Sequence, residues 1–364
     1  MISEYPLKSL YFYLTEGCNL CCRHCWINPK YQSQNKIFPS LDIGLFHSII
    51  EQAKPLGLSA VKLTGGEPLL HPDISEILDT VRCNDLNLAV ETNGTLCTRE
   101  LAQKIASCKS PIVSVSLDGS DAGTHEWVRG VEGCFEAALE GIRNLVAVGF
   151  RPQIIMTIMK NNVHQMESVI RLAESLGAGS VKYNIVQPIG RGEALHEKTE
   201  TLDIEELVEI GRWVENKLSR STDLYVTYSH PMAFKPFGKM LGNDRRDGCK
   251  SCNIYNILGV LSDGSYALCG IGVTIPELIF GHADKDSLEE VWTNTTILND
   301  IRRGLPEQLE GICSDCVLKR SCLGHCLAMN YETGNSLWTP FWYCDMARKA
   351  GLFPDSRSHS SLLS

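Results

Sequence analysis

Three cysteines with the spacing Cys18-x3-Cys22-x2-Cys25 stand on one short stretch, with Cys21 and His24 between them. Three thiolates this close together can bind three corners of an iron–sulfur cube, and a four-iron cluster ordinarily takes four cysteine ligands. Three ligands leave one iron open to a small molecule that can receive an electron. A zinc knuckle uses equally tight cysteine sets, so spacing alone leaves both metals open. Cys21 breaks the ligand spacing and reads as a bystander. Eight more cysteines form a second group: Cys249, Cys252, Cys269, Cys313, Cys316, Cys322, Cys326 and Cys344. The pairs Cys249/Cys252 and Cys313/Cys316 have the form of a zinc ribbon, a reading that leaves the other four unexplained. Cys83, Cys97, Cys108 and Cys134 are isolated and read as small core residues.

Sixteen cysteines in 364 residues call for an account. A disulfide framework suits small secreted domains, so metal binding is the better one here. Its length is enough for one large domain and a smaller one, and at 43% hydrophobic a sizeable core is available. Its formal charge is −9 with no basic block, which argues against a nucleic-acid binder. No apolar run is long enough to span a membrane. The start of the chain lacks the basic and apolar segments of a secretion signal. A cytoplasmic protein is expected.

The elements that must position these cysteines alternate. Apolar runs at 10–14, 60–64, 88–92, 112–117, 153–158 and 180–186 read as strands. Between them, helices are expected from a capping Ser40, over 72–81 with Pro72 at the start, and over 98–109, 135–148 and 163–176. Short apolar strands separated by helices imply a parallel sheet with right-handed crossovers, and six such units suit a partial barrel. In such folds the chemistry gathers at the C-terminal strand ends. The first cysteine loop follows the first strand. Gly65, Gly66 and Glu67 follow the second, where glycines admit close backbone approach and a carboxylate suits an ammonium group. Glu91-Thr92-Asn93-Gly94 follows the third, although Asn-Gly is also an ordinary turn. Ser114, Ser116 and Asp118-Gly119 end the fourth, with His125 and Arg129 soon after. Arg129 suits either a ligand carboxylate or a surface ion pair. Gly190-Arg191-Gly192 follows the sixth. Residues 201–241 read as an acid-rich helix and a linker, and residues 351–364 as a Ser-rich, disordered tail.

Taken together, Cys18-x3-Cys22-x-His24-Cys25 and Gly65-Gly66-Glu67-Pro68 resemble the two signatures of the radical S-adenosylmethionine (SAM) enzymes. The resemblance implies a partial (β/α)6 TIM-type barrel over residues 1–200. It also implies a 4Fe–4S cluster on Cys18, Cys22 and Cys25 whose open iron chelates SAM, with His24, Gly65, Gly66, Glu67, Asn93, Ser116 and Arg129 around the cofactor. The second group resembles the SPASM extension, placed at 242–350 with a small Asp263-Gly264 hairpin and helices. By that pattern Cys313, Cys316, Cys322 and Cys344 hold one auxiliary 4Fe–4S cluster. Cys252, Cys269 and Cys326 hold the other, with Cys249 as the fourth ligand.

Such enzymes abstract a hydrogen atom from an unactivated C–H bond, and those with SPASM extensions mostly modify peptides. The resemblance therefore implies an oxidative change or cross-link in a ribosomally made peptide, with a flavodoxin or ferredoxin as electron donor. In the sulfatase-maturing branch an Asp follows the cysteine of Gly-x4-Cys, whereas Gly270 follows Cys269 here, which argues against that activity. Only nine residues precede the first strand, so a leader peptide would need a separate recognition protein or direct docking. The alternatives are tailoring of a haem-type tetrapyrrole and a non-catalytic metal-binding scaffold. The catalytic base is not identified by sequence.

Overall fold

The structure is a computed structural model that describes residues 4–33, 36–241, 252–270 and 274–362. All six expected strands are present: β1 (Ser9–Tyr13), β2 (Ala60–Thr64), β3 (Asn87–Thr92), β4 (Lys109–Ser116), β5 (Gln153–Ile158) and β6 (Ser180–Ile185). They pair in parallel and in chain order. Four further strands extend this sheet to ten among the described residues: β7 (Tyr225–Tyr228), β8 (Ile257–Val260), β9 (Ser265–Ala267) and β10 (Ile279–His282).

These additions fall in the expected bridging segment and in the expected SPASM segment. The linker at 201–241 contains β7, which pairs in parallel with β6. The segment of the second cysteine group is joined to the barrel sheet, because its β8 pairs in parallel with β1, from Ser9↔Ile257 to Phe12↔Val260. β9 and β10 then continue antiparallel. The hairpin that carries Cys269 is thus an edge of the barrel sheet itself.

The strands are not apolar throughout, as a sheet covered on both faces would require. One set of alternate residues faces the helices: Leu10 and Phe12 on β1, Val61 and Leu63 on β2, Val90 on β3, Val115 on β4, Met156 on β5 and Tyr183 on β6, all buried. The other set holds Tyr11, Lys62, Thr64, Glu91, Ser114, Thr157 and Asn184 along with Ala89 and Ile155, so the inner face is polar for the most part. Side chains on a strand alternate between faces, so a two-residue period separates core from cleft.

Helices α1 (Ile43–Ala53), α2 (Ile74–Cys83), α3 (Arg99–Ala106), α4 (Ala122–Arg129), α5 (Cys134–Ala147), α6 (Met166–Leu176) and α7 (Arg191–Glu197) cover the outside. The cap of α1 is Asp42, not Ser40: its carboxylate accepts from the Leu45 N–H at 2.9 Å. Thr98 caps α3 as the sequence suggests. The acid-rich helix α8 (Ile204–Asn216) opens with a reciprocal Asp203/Glu206 capping box, which satisfies two backbone donors at once.

The expected disorder of residues 351–364 is overturned for the described part of that tail. Asp355–Arg357 form a turn of 3₁₀ helix and His359–Leu362 a short α-helix. Ser358 is fully buried and pairs with Cys316 in an antiparallel bridge. Two Asp315 carboxylate contacts hold Ser360, at 3.0 Å from its N–H and 2.7 Å from its hydroxyl. Polar composition is a poor guide here because these side chains have partners.

Candidate active site

A cleft of about 330 Å³ opens at the C-terminal ends of the strands. Its wall includes Cys18, Cys22 and Cys25 from the first loop. Gly66 and Glu67 stand there from the β2 turn, Asn93 from the β3 turn, and His24, Ser116 and Arg129 beside them. Gly65 is not on the wall. It turns the chain with a φ of 127°, and a Cβ there would lie 2.9 Å from the Leu14 backbone nitrogen. Gly66 packs directly on the cysteine loop, where a Cβ would sit 1.9 Å from the Gly17 carbonyl oxygen. These two positions need glycine for different reasons, one for backbone angle and one for close approach.

Donors are aimed at the sulfurs. The Leu20 N–H lies 3.4 Å from Cys18 Sγ, Asn93 Nδ2 lies 3.9 Å from the same atom, and Arg129 Nη1 lies 3.4 Å from Cys22 Sγ. Burial pushes both thiols above their ordinary range, so without a metal they stay protonated and unreactive. Among the described residues, no three His, Cys, Asp or Glu side chains converge on a point as one metal ion needs. A four-iron cube spreads its ligands wider, because each thiolate binds its own iron. A cysteine triad on a cleft wall, with N–H groups and a guanidinium directed at sulfur, fits such a cluster. Cys21 is held away from the cleft, with its N–H on the Arg129 carbonyl at 3.0 Å.

Arg129 does not form a surface ion pair. It is buried, with Nε 2.7 Å from Asp118 Oδ2. Asp118 is fully buried and also meets His24 Nε2 at 3.1 Å and the Thr157 N–H at 2.7 Å. Burial opposes its ionisation, but Arg129 and then His24 outweigh that and hold the carboxyl well below the usual range. Opposite charges at hydrogen-bond distance favour the charged form. Glu67 accepts from the Thr92 hydroxyl at 2.6 Å, the Asn93 N–H at 2.8 Å and the Leu69 N–H at 3.1 Å. Burial still prevails and raises its carboxyl above the ordinary value. Arg191 is not on a free ligand-facing arm. It donates to Asn28 Oδ1, the Cys22 carbonyl and the Pro29 carbonyl at 2.8, 3.1 and 2.9 Å, and so clamps the cysteine loop.

Glu91, Asn184, Gln187 and Trp26 line the same cleft; sequence reasoning placed Glu91 in the turn after β3 but did not single out Asn184. Alternation along β3 and β6 carries that signal for the first two. Glu91 pairs with Lys62 at 2.6 Å. Burial opposes ionisation of Glu91, but Lys62 prevails and keeps the carboxyl below its ordinary value.

The later cysteines fall into two sets. Cys313, Cys316, Cys322 and Cys344 surround one small cavity. Cys252, Cys269 and Cys326 form the other, where Cys326 and Cys269 help raise the titration of Cys252, and Cys269 that of Cys326. Burial is the larger cause and pushes Cys252, Cys322 and Cys326 up to about 12. Leu323, Gly324 and His325 all have positive φ, a backbone region that only glycine enters freely. This tight reversal sends Cys322 and Cys326 to different sets. Cys249 lies outside the described residues.

Residues 12–173 match the family model described as the Radical SAM superfamily, and residues 249–317 match the SPASM iron–sulfur cluster-binding domain. The chain is a radical SAM enzyme with a SPASM extension. It accordingly binds SAM and a 4Fe–4S cluster, and its extension binds iron–sulfur as well. The AdoMet-dependent heme synthase of Methanosarcina barkeri is 29% identical over 89% of this radical SAM chain and 92% of its own length. The mycofactocin maturase MftC of Mycobacterium tuberculosis is 27% identical, over 90% of this chain and 80% of its own. Streptococcus suis SuiB, solved with its precursor peptide SuiA, shares the radical SAM fold with a TM-score of 0.70 at 18% identity. It covers 94% of this chain and 76% of its own.

Proposed function

We propose that this enzyme abstracts a hydrogen atom from a ribosomally made peptide and leaves an oxidative modification or cross-link. The observation that carries the reading is the cleft: a cysteine triad with its third-ligand loop clamped by Arg191, facing a polar barrel interior open to solvent. Similarity to MftC along most of both chains supports a peptide as the substrate class. When bound, the cluster and SAM supply a 5′-deoxyadenosyl radical.

The chain's own residues do the rest. Cys18, Cys22 and Cys25 hold the cluster, and Arg129 donates to the Cys22 sulfur. Glu67 and the Gly65-Gly66 turn hold the SAM amino group, with His24, Asn93 and Ser116 beside the cofactor. Cys313, Cys316, Cys322 and Cys344 take a second cluster. Cys252, Cys269 and Cys326, with Cys249, take a third. A flavodoxin or ferredoxin supplies the electron, and the leader peptide is held by a separate recognition protein or docks directly on the barrel. Among the described residues no helix is long and apolar enough to cross a membrane, in keeping with work in the cytoplasm.

A second reading, tailoring of a haem-type tetrapyrrole, is favoured by the 29% identity to the heme synthase. The readings part in one experiment. Anaerobically reconstituted protein is given SAM and a reductant with either a small peptide encoded beside its gene or an iron–tetrapyrrole propionate. Loss of two hydrogens per event from the peptide supports the first reading, and a change confined to the tetrapyrrole overturns it. In either case Cys22→Ala is expected to abolish 5′-deoxyadenosine release.

A further inference from the structure

We propose that Trp26 and Tyr13 form an aromatic bridge that carries single electrons between the cleft and the Cys252/Cys269/Cys326 thiols. The inference rests on reading both thiol groups as iron–sulfur sites. Trp26 follows Cys25 directly, and its ring stands on the cleft wall. Tyr13, at the end of β1, meets that ring edge-on, with centroids 6.5 Å apart and planes at 87°. On its far side the Tyr13 hydroxyl accepts a hydrogen bond from the Gly270 N–H. Gly270 follows Cys269. The bridge thus begins one residue from a first-group cysteine and ends one residue from a second-group cysteine.

The fit at Gly270 depends on its lacking a side chain. A Cβ there would lie 2.0 Å from Tyr13 Cζ and 2.2 Å from its hydroxyl oxygen. No rotation of a small side chain relieves an overlap with a ring that is itself buried. The Tyr13 ring fills the space into which any residue 270 side chain would project. Leu261, Ala267, Ile27 and Tyr11 pack around the pair, so the path is apolar. Burial, with Cys269 next in effect, raises the phenol well above its ordinary range, so it stays neutral. Filled π orbitals lie closer in energy to a moving electron than the σ bonds of an aliphatic side chain do. Two rings in edge contact therefore couple the ends better than saturated packing would.

In turnover one hydrogen atom leaves the substrate for the 5′-deoxyadenosyl radical. The carbon radical left behind loses one electron and one proton as the product bond forms. The electron crosses Trp26 and Tyr13 to an iron–sulfur cluster on the second set of thiols, which is the one-electron oxidant, and from there leaves to an external carrier. The proton passes to water or to a base in the cleft. Run the other way, the same path resupplies the SAM site.

The reverse direction gives a test that needs SAM alone. Reconstituted protein is reduced with dithionite, freed of excess reductant and mixed with SAM. Freeze-quenched EPR follows the reduced clusters while 5′-deoxyadenosine is counted. Wild type should give a fast burst, then a second phase in which the auxiliary signal decays. Tyr13→Leu should keep the burst and the iron content but slow the second phase about tenfold or more, and Trp26→Met should slow that second phase whatever it does to the burst, whereas Tyr13→Phe should leave it near the wild-type rate. Gly270→Ala, which displaces the ring without removing it, should slow it too and serves if a ring variant fails to load iron. Any of the three loaded variants with an unchanged second phase overturns the bridge. So does a wild type whose auxiliary signal persists. A wild type with no burst at all instead overturns the SAM-cleaving reading, and the bridge with it.

Discussion

Arg129 answers to two acceptors at once: the Asp118 carboxylate at 2.7 Å and the Cys22 sulfur at 3.4 Å. Both partners are buried, so removing the guanidinium strands a carboxylate that has no access to water. Breaking one side of such a pair costs about 3–5 kcal/mol. Arg129→Leu should lose about that much stability in chemical denaturation. Arg129→Leu combined with Asp118→Asn should recover part of it. His125 belongs to the same cluster. Its Nδ1 accepts from the Asp118 N–H at 3.1 Å, so the ring is neutral. Burial first, then Arg129, pushes its titration down to about 3, against the pull of Asp118. The unfolded chain takes up a proton near pH 6.5, but the folded one does not until about pH 3. Stability from this group is therefore whole above 6.5 and falls as pH drops, by about 1.4 kcal/mol per unit. His125→Phe should flatten that slope in denaturation curves taken between about pH 5 and pH 7.

At the scale of elements, two strand-end turns are locked to the cysteine loop. Gly66 lies against Gly17, Arg191 spans Cys22 to Pro29, and the Arg191 N–H donates to the Cys25 carbonyl at 3.0 Å. A Cβ at Gly66 has to displace backbone, not a flexible side-chain tip. Gly66→Ala should thus fold but lose about a third of the iron on reconstitution, the share of one cluster in three. Loss of the auxiliary share instead would contradict this placement. The glycines and the arginine were legible as motif positions after strands. Their acceptors were not, because Asn28 and Pro29 come within reach of Arg191 only through the barrel's closure.

At the scale of the molecule, one sheet runs from the auxiliary hairpin through the barrel to β7. The C-terminal segment closes over the other cysteine set. Arg357 donates to the Ala233 and Lys235 carbonyls at 3.2 and 3.0 Å, and its N–H-bearing plane covers the Phe237 ring at 3.3 Å. Arg357→Ala leaves those carbonyls without their donor, which costs about 1–3 kcal/mol for each that stays dry. The expected outcome is a lower melting temperature and faster iron loss from the Cys313/Cys316/Cys322/Cys344 site under a chelator. The SAM-site cluster should be retained.

The chain's own order of residues determined the alternation of strands and helices, the first cysteine triad and the turns that follow β2, β3 and β4. Those are short-range properties, because periodicity and ligand spacing act within a few residues along the backbone. Tertiary structure alone decided that the hairpin joins β1 and that the tail is packed. It also decided that Tyr13 reaches from Trp26 to Gly270. Each of these depends on surfaces brought together from distant parts of the chain, where packing and hydrogen-bond partners select among arrangements that local sequence leaves equal.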